Sequence, residues 1–254
     1  MVKMVITDLD NTLLRRDKSI SDYTKSVFGK LRERGILIAI ATARSSDAAA
    51  YFTAQMKHDA FIGHGGALVL ADGKEIHRLE IPADISQQLL RACLSEPEIT
   101  AIYANSEAVA LTNYKEYLTG EGTSHYTYSD FSKLPDRAFQ KITVISRSPS
   151  AVERISAQFP MLDVLGYTGE DMYRFANSDA VKWNAVKLAL AHYKVDAADA
   201  VAFGDDFNDV DMLRGCGTGV AVANAIEECK AAANHICGDC DDDGVAKWLE
   251  EHVL

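Results

Sequence analysis

The sequence lacks any hydrophobic run long enough to cross a membrane. Its most apolar stretch, residues 35–41 of the 254-residue chain, is far too short to span a bilayer. An acidic residue, Asp8, interrupts the start of the chain before a secretory hydrophobic region can form. The five cysteines are an odd number in a chain large enough to fold without disulfides, which favours reduced thiols. We therefore expect a cytoplasmic protein without a membrane span.

Positive charge is also scarce. The chain has 26 lysine and arginine residues against 37 aspartate and glutamate residues, a formal net charge of -11. A field of this sign repels phosphate backbones and anionic lipids, so we expect neither nucleic acid nor a membrane surface as a partner. The composition leaves room for a small anionic substrate where a few cations are concentrated.

Two parts of the chain alternate short apolar strands with helices. Residues 2–7 and 36–41 are predicted as buried strands, and the second is unbroken in its apolar character, as in a parallel sheet covered on both faces. Ser21 can cap the helix between them, and Gly35 can end it. This rhythm predicts an α/β fold with a doubly wound, Rossmann-like parallel sheet.

The rhythm breaks in the middle of the chain and then returns. Residues 82–177 mix helix-like and strand-like segments, which is typical of an α+β domain. From Lys182 the strand–helix alternation resumes. We therefore predict a discontinuous core of residues 1–81 and 178–254, with residues 82–177 as an inserted α+β domain.

Two acidic clusters each follow an apolar strand. Asp8 and Asp10 end the first strand, and Asp205, Asp206 and Asp209 follow a strand predicted just before them. Ligands of doubly wound sheets bind outside the carboxyl ends of the strands, so neighbouring parallel strands would bring these carboxylates together. Two carboxylates ~4 Å apart repel by about 4 kcal/mol at an effective dielectric of about 20, so the cluster needs a cation. Oxygen ligands favour Mg²⁺. For any single aspartate, an ordinary surface position is the alternative.

Four motifs resemble those of the haloacid dehalogenase (HAD) superfamily. Residues 8–14, Asp-Leu-Asp-Asn-Thr-Leu-Leu, resemble its first motif, DxDx[TV], and Thr42 resembles its second. Lys182 resembles the third, and residues 204–209, Gly-Asp-Asp-Phe-Asn-Asp, resemble the fourth. The chain is most similar to the Cof-type phosphatases, whose type 2B cap lies between the second and third motifs. The inserted residues 82–177 would be that cap domain.

The resemblance implies a role for each matching residue. Asp8 would attack phosphorus and carry an aspartyl-phosphate, and Asp10 would protonate the leaving alkoxide and then activate water. Asp205 would hold Mg²⁺ together with Asp8 and the backbone carbonyl of Asp10. Lys182 and Thr42 would bind the transferring phosphoryl group, whose charge needs such partners.

The remaining motif positions complete the expected site. Ala43 and Arg44 stand in the second motif and would bind phosphate or substrate. Asn208 would bind the substrate. Asp209 would support the metal site without binding the metal directly. Asn11 and Ala43 each replace a glycine of the family pattern, and asparagine tolerates a positive φ better than most residues.

These observations predict a Mg²⁺-dependent phosphatase, a phosphoric monoester hydrolase acting on a small phosphorylated metabolite, with sugar phosphates favoured. A phosphomutase would pass through the same aspartyl-phosphate and stays an alternative. A non-enzymatic phospho-aspartate switch is less favoured, because receiver domains are shorter and lack an aspartate two residues after the acceptor. We expect a monomer or a small homo-oligomer.

Overall fold

The computed structural model describes residues 1–119 and 126–254, apart from the side chains of Tyr117 and Thr119. The chain forms two compact units, which are described separately. The first comprises Met1–Arg44, Ala49–His77 and Val181–Leu254; the second comprises Ser45–Ala48 and Arg78–Ala180. The long segment of the second unit begins four residues before the predicted insertion and ends three residues after it.

The described residues contain strands and helices in alternation. The strands are β1 (Met4–Thr7), β2 (Leu37–Ala41), β3 (Ala60–Gly63), β4 (Leu68–Ala71), β5 (Lys74–Arg78), β6 (Ala101–Asn105), β7 (Ala110–Thr112), β8 (Tyr126–Tyr128), β9 (Lys141–Ile145), β10 (Leu162–Gly166), β11 (Met172–Asn177), β12 (Ala200–Gly204), β13 (Thr218–Ala221) and β14 (His235–Ile236). The helices are α1 (Asp22–Glu33), α2 (Ser46–Thr53), α3 (Ala83–Ser95), α4 (Pro149–Ser156), α5 (Lys182–His192), α6 (Val210–Gly215), α7 (Glu227–Ala232) and α8 (Gly244–His252). Within the two described ranges, none of these helices combines the length and the apolar character that crossing a bilayer requires.

The first unit is built on a sheet with the strand order β14-β13-β12-β1-β2-β3-β4-β5. The six strands from β14 to β3 run parallel, and β4 is antiparallel to β3. The central strands β1 and β12 are buried along their whole length, because they are apolar on both faces. The predicted doubly wound parallel core is confirmed.

The register of the central strands brings the ends of β1, β2 and β12 to one edge of the sheet, which we call the functional edge. Thr7, the last residue of β1, pairs with Ile40 of β2 and with Phe203 of β12. The three strands therefore end at the same level, and the residues that follow them emerge at one edge of the sheet. The core beneath this edge is continuous from Met4 to Leu249.

The second unit is a sheet with the order β10-β11-β9-β6-β7-β8, antiparallel except for the β7–β8 pair. Helices α3 and α4 bury Leu89, Leu90 and Ile155 in one cluster with Val144 and Phe175 of the sheet. This arrangement of helices on an antiparallel sheet is α+β, as the sequence predicts for this part of the chain.

Some local predictions differ from the structure. The sequence predicts a helix over residues 48–56, but α2 spans Ser46–Thr53. After Thr53 the hydrogen bonds tighten to Gln55 N–Phe52 O and Met56 N–Thr53 O, which ends the α-helix. Strands β3, β8 and β14 are not predicted. Strand β14 has only two residues, both exposed, so it shows no apolar alternation.

Candidate active site

Three loops meet the functional edge of the parallel sheet. Asp8 follows β1, Thr42 follows β2, and Asp205 follows β12. The backbone N–H of Asp8 donates to the carbonyl of Phe203 at 3.0 Å, which fixes the start of the first loop against β12. The parallel register thus brings together residues that are far apart in sequence.

The loop after β1 makes a wide turn that closes on Leu9. The backbone N–H of Leu14 donates to the carbonyl of Leu9 at 2.7 Å. Within the turn, Asn11 has a φ of 56°, in the left-handed region that asparagine adopts more easily than most residues. Asparagine in place of the family glycine therefore supports the same turn.

A cluster of three carboxylates lies at the centre of the edge. Asp8, Asp205 and Asp209 each offer an oxygen within 4.8 Å of the others. The ammonium group of Lys182 donates to Asp8 Oδ1 at 2.8 Å and to Asp209 Oδ1 at 2.6 Å. The hydroxyl of Thr12 donates to Asp205 Oδ1 at 2.7 Å. Asp8, Asp209 and Lys182 are all buried.

The cluster carries more negative than positive charge. Three carboxylates face one ammonium group, and burial raises the pKa of Asp8 well above its ordinary value despite the opposing effect of Lys182. Burial and the charge of Asp209 raise the pKa of Asp205 to about 7. Burial alone would lower the pKa of Lys182, but the carboxylates of Asp209 and Asp8 outweigh it and raise that pKa, so Lys182 stays protonated.

This donor set fits a metal ion. Carboxylate oxygens are the ligands that hard divalent cations prefer, and a cation would offset the surplus negative charge. The cluster of Asp8, Asp205 and Asp209 could therefore hold a metal ion.

Asp209 also organises the loop after β12. Its Oδ2 accepts the backbone N–H groups of Asp205 at 3.1 Å and Asp206 at 3.2 Å, while its Oδ1 accepts from Lys182. Asp206 caps the following turn by accepting from the N–H of Phe207 at 2.9 Å. Asp209 thus links the ammonium group to the loop that carries Asp205.

The carboxylate of Asp10 points to cations rather than to this cluster. Arg44 donates to Oδ2 through Nε and to Oδ1 through Nη2, both at 2.7 Å, and Lys18 donates to Oδ1 at 2.9 Å. Burial would raise the pKa of Asp10, but the hydrogen bonds and charges of Arg44 and Lys18 outweigh it and lower that pKa. Arg44 is therefore engaged with Asp10 in this structure.

The other expected site residues lie at the same edge or beside it. Thr42 is buried, and its Oγ1 accepts from the backbone N–H of Arg44 at 3.2 Å, with Ala43 between them. Asn208 lies in the turn after Asp205, and its Oδ1 is buried with no hydrogen-bond partner among the described residues. The predicted residues of all four motifs thus belong to the first unit.

Two glycines shape the site closely. A Cβ on Gly66, whose φ is +111°, would lie 2.6 Å from the carbonyl of Val181 and 2.9 Å from the N of Lys182. A Cβ on Gly204 would lie 2.4 Å from the Cβ of Asp209. Gly204 belongs to the fourth motif and could be found from the sequence. No local sequence pattern indicates the approach of Gly66 to Lys182.

Comparison with known proteins identifies the family of this fold and site. The family described as haloacid dehalogenase-like hydrolase matches residues 5–249. The chain therefore belongs to the haloacid dehalogenase-like hydrolases, and the predicted enzyme class, a phosphoric monoester hydrolase of this superfamily, is confirmed.

Relatives match over almost their whole length. A Haemophilus influenzae protein provisionally named a phosphatase is 29% identical over 99% of this chain and 98% of its own length. The HMP-PP phosphatase of Shigella flexneri is 25% identical over 98% of this chain and 95% of its own length.

Solved structures show the same fold. A haloacid dehalogenase-like hydrolase from Bacillus subtilis superposes with a TM-score of 0.85 at 21% identity, covering 100% of both chains. A sugar phosphatase of HAD subclass IIB superposes with a TM-score of 0.84 at 19% identity, covering 98% of each chain.

Proposed function

We propose that this protein is a Mg²⁺-dependent phosphatase that hydrolyses a small phosphorylated metabolite through an aspartyl-phosphate on Asp8. The observation that carries the proposal is the buried Asp8 carboxylate, held by Lys182 among carboxylates at the carboxyl edge of a parallel sheet. The relatives named HMP-PP phosphatase and sugar phosphatase support a small phosphorylated substrate, with sugar phosphates as the favoured class.

Asp8 acts as the nucleophile in the first displacement. One of its oxygens attacks phosphorus and the bond to the leaving oxygen breaks, which divides hydrolysis into two steps. Lys182 and the hydroxyl of Thr42 offset charge on the phosphoryl oxygens. Held by Asp8, Asp205 and the backbone carbonyl of Asp10, Mg²⁺ would supply positive charge to the carboxylates and the phosphoryl group.

Asp10 serves both displacements in opposite protonation states. In the first it gives a proton to the leaving alkoxide, and in the second it accepts a proton from the attacking water. The pairing with Arg44 and Lys18 lowers the pKa of Asp10 and so favours the ionised form. The arrangement in this structure therefore suits the second step, and the first step requires Asp10 to take up a proton.

Substrate selection involves the rest of the second motif, Asn208 and the inserted domain. The Oδ1 of Asn208, which has no partner within residues 1–119 and 126–254, can accept a hydrogen bond from a substrate hydroxyl. Asp209 supports the metal site through the loop of Asp205, and Ala43 and Arg44 line the substrate side. Residues 82–177 act as a cap domain that distinguishes substrates. We place the protein in the cytoplasm as a monomer or a small homo-oligomer.

A screen of phosphorylated metabolites tests this function. Phosphate release from sugar phosphates, other small phosphate esters and p-nitrophenyl phosphate is measured with Mg²⁺ and with EDTA, using Asp8→Asn as the control. We expect Mg²⁺-dependent release with at least one metabolite and none with Asp8→Asn. Release that survives in Asp8→Asn contradicts the proposal, and so does migration of phosphate within a substrate without release, the signature of a phosphomutase.

A further inference from the structure

A loop outside the four motifs contacts both acidic segments of the site. Residues 222–226, which we call the bracing loop, connect β13 to α7 at the edge of the sheet where β12 ends. The backbone N–H of Ile226 donates to the carbonyl of Asp205 at 2.9 Å. The bracing loop is thus attached directly to a residue of the carboxylate cluster.

Asn224 attaches the same loop to the segment that carries Asp8 and Asp10. Its Nδ2 donates to the backbone carbonyl of Asn11 at 2.7 Å, and its Oδ1 accepts from the backbone N–H of Cys240 at 2.9 Å. One bond needs a donor and the other an acceptor, so a neutral amide satisfies both, whereas a carboxylate satisfies only the bond to Cys240.

The carbonyl that Asn224 binds belongs to Asn11, whose backbone conformation is unfavourable for most residues. Asn11 has a positive φ and lies between Asp10 and Thr12. Thr12 in turn donates to Asp205 Oδ1. Fixing the Asn11 carbonyl therefore restrains the peptide that joins Asn11 to Thr12, and with it the hydroxyl that orients Asp205.

The second contact of Asn224 is with a segment, residues 239–243, that binds the chain just after this turn. Arg15 donates to Asp243 Oδ2 at 2.7 Å, and Arg16 donates through Nη1 and Nη2 to the two oxygens of Asp239, both at 2.9 Å. The Cys240 N–H bound by Asn224 lies between these acids in sequence. Asn224 thus joins the turn of the first motif to the segment that holds Arg15 and Arg16.

We propose that Asn224 is a positioning residue for catalysis, holding the turn that carries Asp8 and Asp10 in register with Asp205 without touching the substrate. This inference rests on the proposed function. Replacing a residue that orients a metal ligand or a catalytic group, without itself contacting metal or substrate, typically lowers activity by about 10–100-fold. The effect should fall on kcat, because the groups that bind substrate remain in place.

Asn234 provides a matched control. Its Oδ1 accepts from the N–H of Gly219 at 2.8 Å, so its side chain, like that of Asn224, bonds to the backbone, but at the end of β13 away from the functional edge. Asn234→Ala should lower stability without disturbing the turn at Asn11. Asn224→Ala removes both bonds of Asn224, and Asn224→Asp removes only the donor to Asn11.

The test measures kcat and KM with p-nitrophenyl phosphate and Mg²⁺, together with the thermal midpoint, for the parent chain and the three variants. We expect kcat to fall about 10–100-fold in Asn224→Asp and Asn224→Ala with KM close to that of the parent, and to stay unchanged in Asn234→Ala. Because Asn224→Asp keeps the bond to Cys240, it decides the question if Asn224→Ala fails to fold.

Three results would overturn the inference while the parent enzyme is active. They are an unchanged kcat in Asn224→Asp, a loss confined to KM, and an equal loss of kcat in Asn234→Ala. An inactive parent chain would instead overturn the proposed function and the inference with it.

Discussion

The guanidinium group of Arg44 binds both oxygens of the Asp10 carboxylate, through Nε and Nη2, each at 2.7 Å. The position of Arg44 in the second motif predicts a phosphate- or substrate-binding residue. In this structure the guanidinium group presents a planar fork matched to a carboxylate, a geometry that lysine cannot reproduce. Arg44 can therefore affect the chemistry by orienting Asp10.

Arg44→Lys should separate these two roles. The variant keeps the charge but loses the fork, so we expect slower formation of the phosphoenzyme from an alkyl phosphate, whose leaving group needs the proton of Asp10. Since such acid catalysis contributes about 10²–10⁴-fold, a misplaced Asp10 should lose a measurable part of that factor. Rapid-quench measurement of phosphoenzyme formation should show little change with p-nitrophenyl phosphate. An equal rise in KM for both esters would show that Arg44 binds the phosphoryl group directly.

The sequence predicts where the site residues lie better than it predicts the residues to which they hydrogen-bond. Asp8 and Asp205 were predictable because each ends an apolar strand, and parallel strands that are neighbours place their ends at one edge. The positive φ of Asn11 was also predictable, because asparagine stands where the family has glycine. These inferences use only residues close together in the chain.

The supporting contacts join residues that are distant in the chain. Asn224 and Asn11 are 213 positions apart, and Arg15 and Asp243 are 228 positions apart, so no local pattern connects them. The pairing of Arg44 with Asp10 depends likewise on the β1–β2 register. Such contacts follow from the packed fold.

Replacing each of the two aspartates of the first motif should block a different step of the reaction. Asp8→Asn keeps the shape of the side chain but removes the attacking charge, so we expect no phosphoenzyme with any ester. Asp10→Asn keeps the nucleophile, and p-nitrophenolate leaves without a proton, so p-nitrophenyl phosphate should still phosphorylate Asp8. Hydrolysis of the phosphoenzyme should then stall for lack of a base, giving a burst of p-nitrophenol and a trapped aspartyl-phosphate. Phosphoenzyme in Asp8→Asn and none in Asp10→Asn would reverse the two roles.

Removal of the metal should affect both turnover and stability. Carboxylate oxygens of Asp8, Asp205 and Asp209 lie within 4.8 Å of one another, and the ammonium group of Lys182 bonds to Asp8 and Asp209. A cation bound to the folded state alone offsets their repulsion and stabilises that state by mass action. We expect EDTA to abolish turnover and lower the thermal midpoint, and Mg²⁺ to restore both. Full activity after dialysis against chelator would exclude a metal role for this cluster.

Gly66→Ala tests whether the position of Lys182 depends on the close approach of the Gly66 backbone. An added Cβ would lie 2.6 Å from the carbonyl of Val181, at a φ that residues with side chains rarely adopt, so the chain near residue 66 or the start of α5 must shift. Such a shift would move the ammonium group that bridges Asp8 and Asp209, and kcat should fall about 10-fold or more, because misplacement by about 1 Å can cost about 10²-fold.

The control for this change is Gly35→Ala. Gly35 also has a positive φ, +74°, but a Cβ there meets no described atom within 4 Å. The left-handed conformation alone costs a residue with a side chain about 1–2 kcal/mol, so both variants should lose stability in urea denaturation. Only Gly66→Ala should also lose activity when each is assayed well below its unfolding midpoint. If Gly66→Ala is as active as Gly35→Ala at the same loss of stability, the Gly66 backbone does not determine where Lys182 lies.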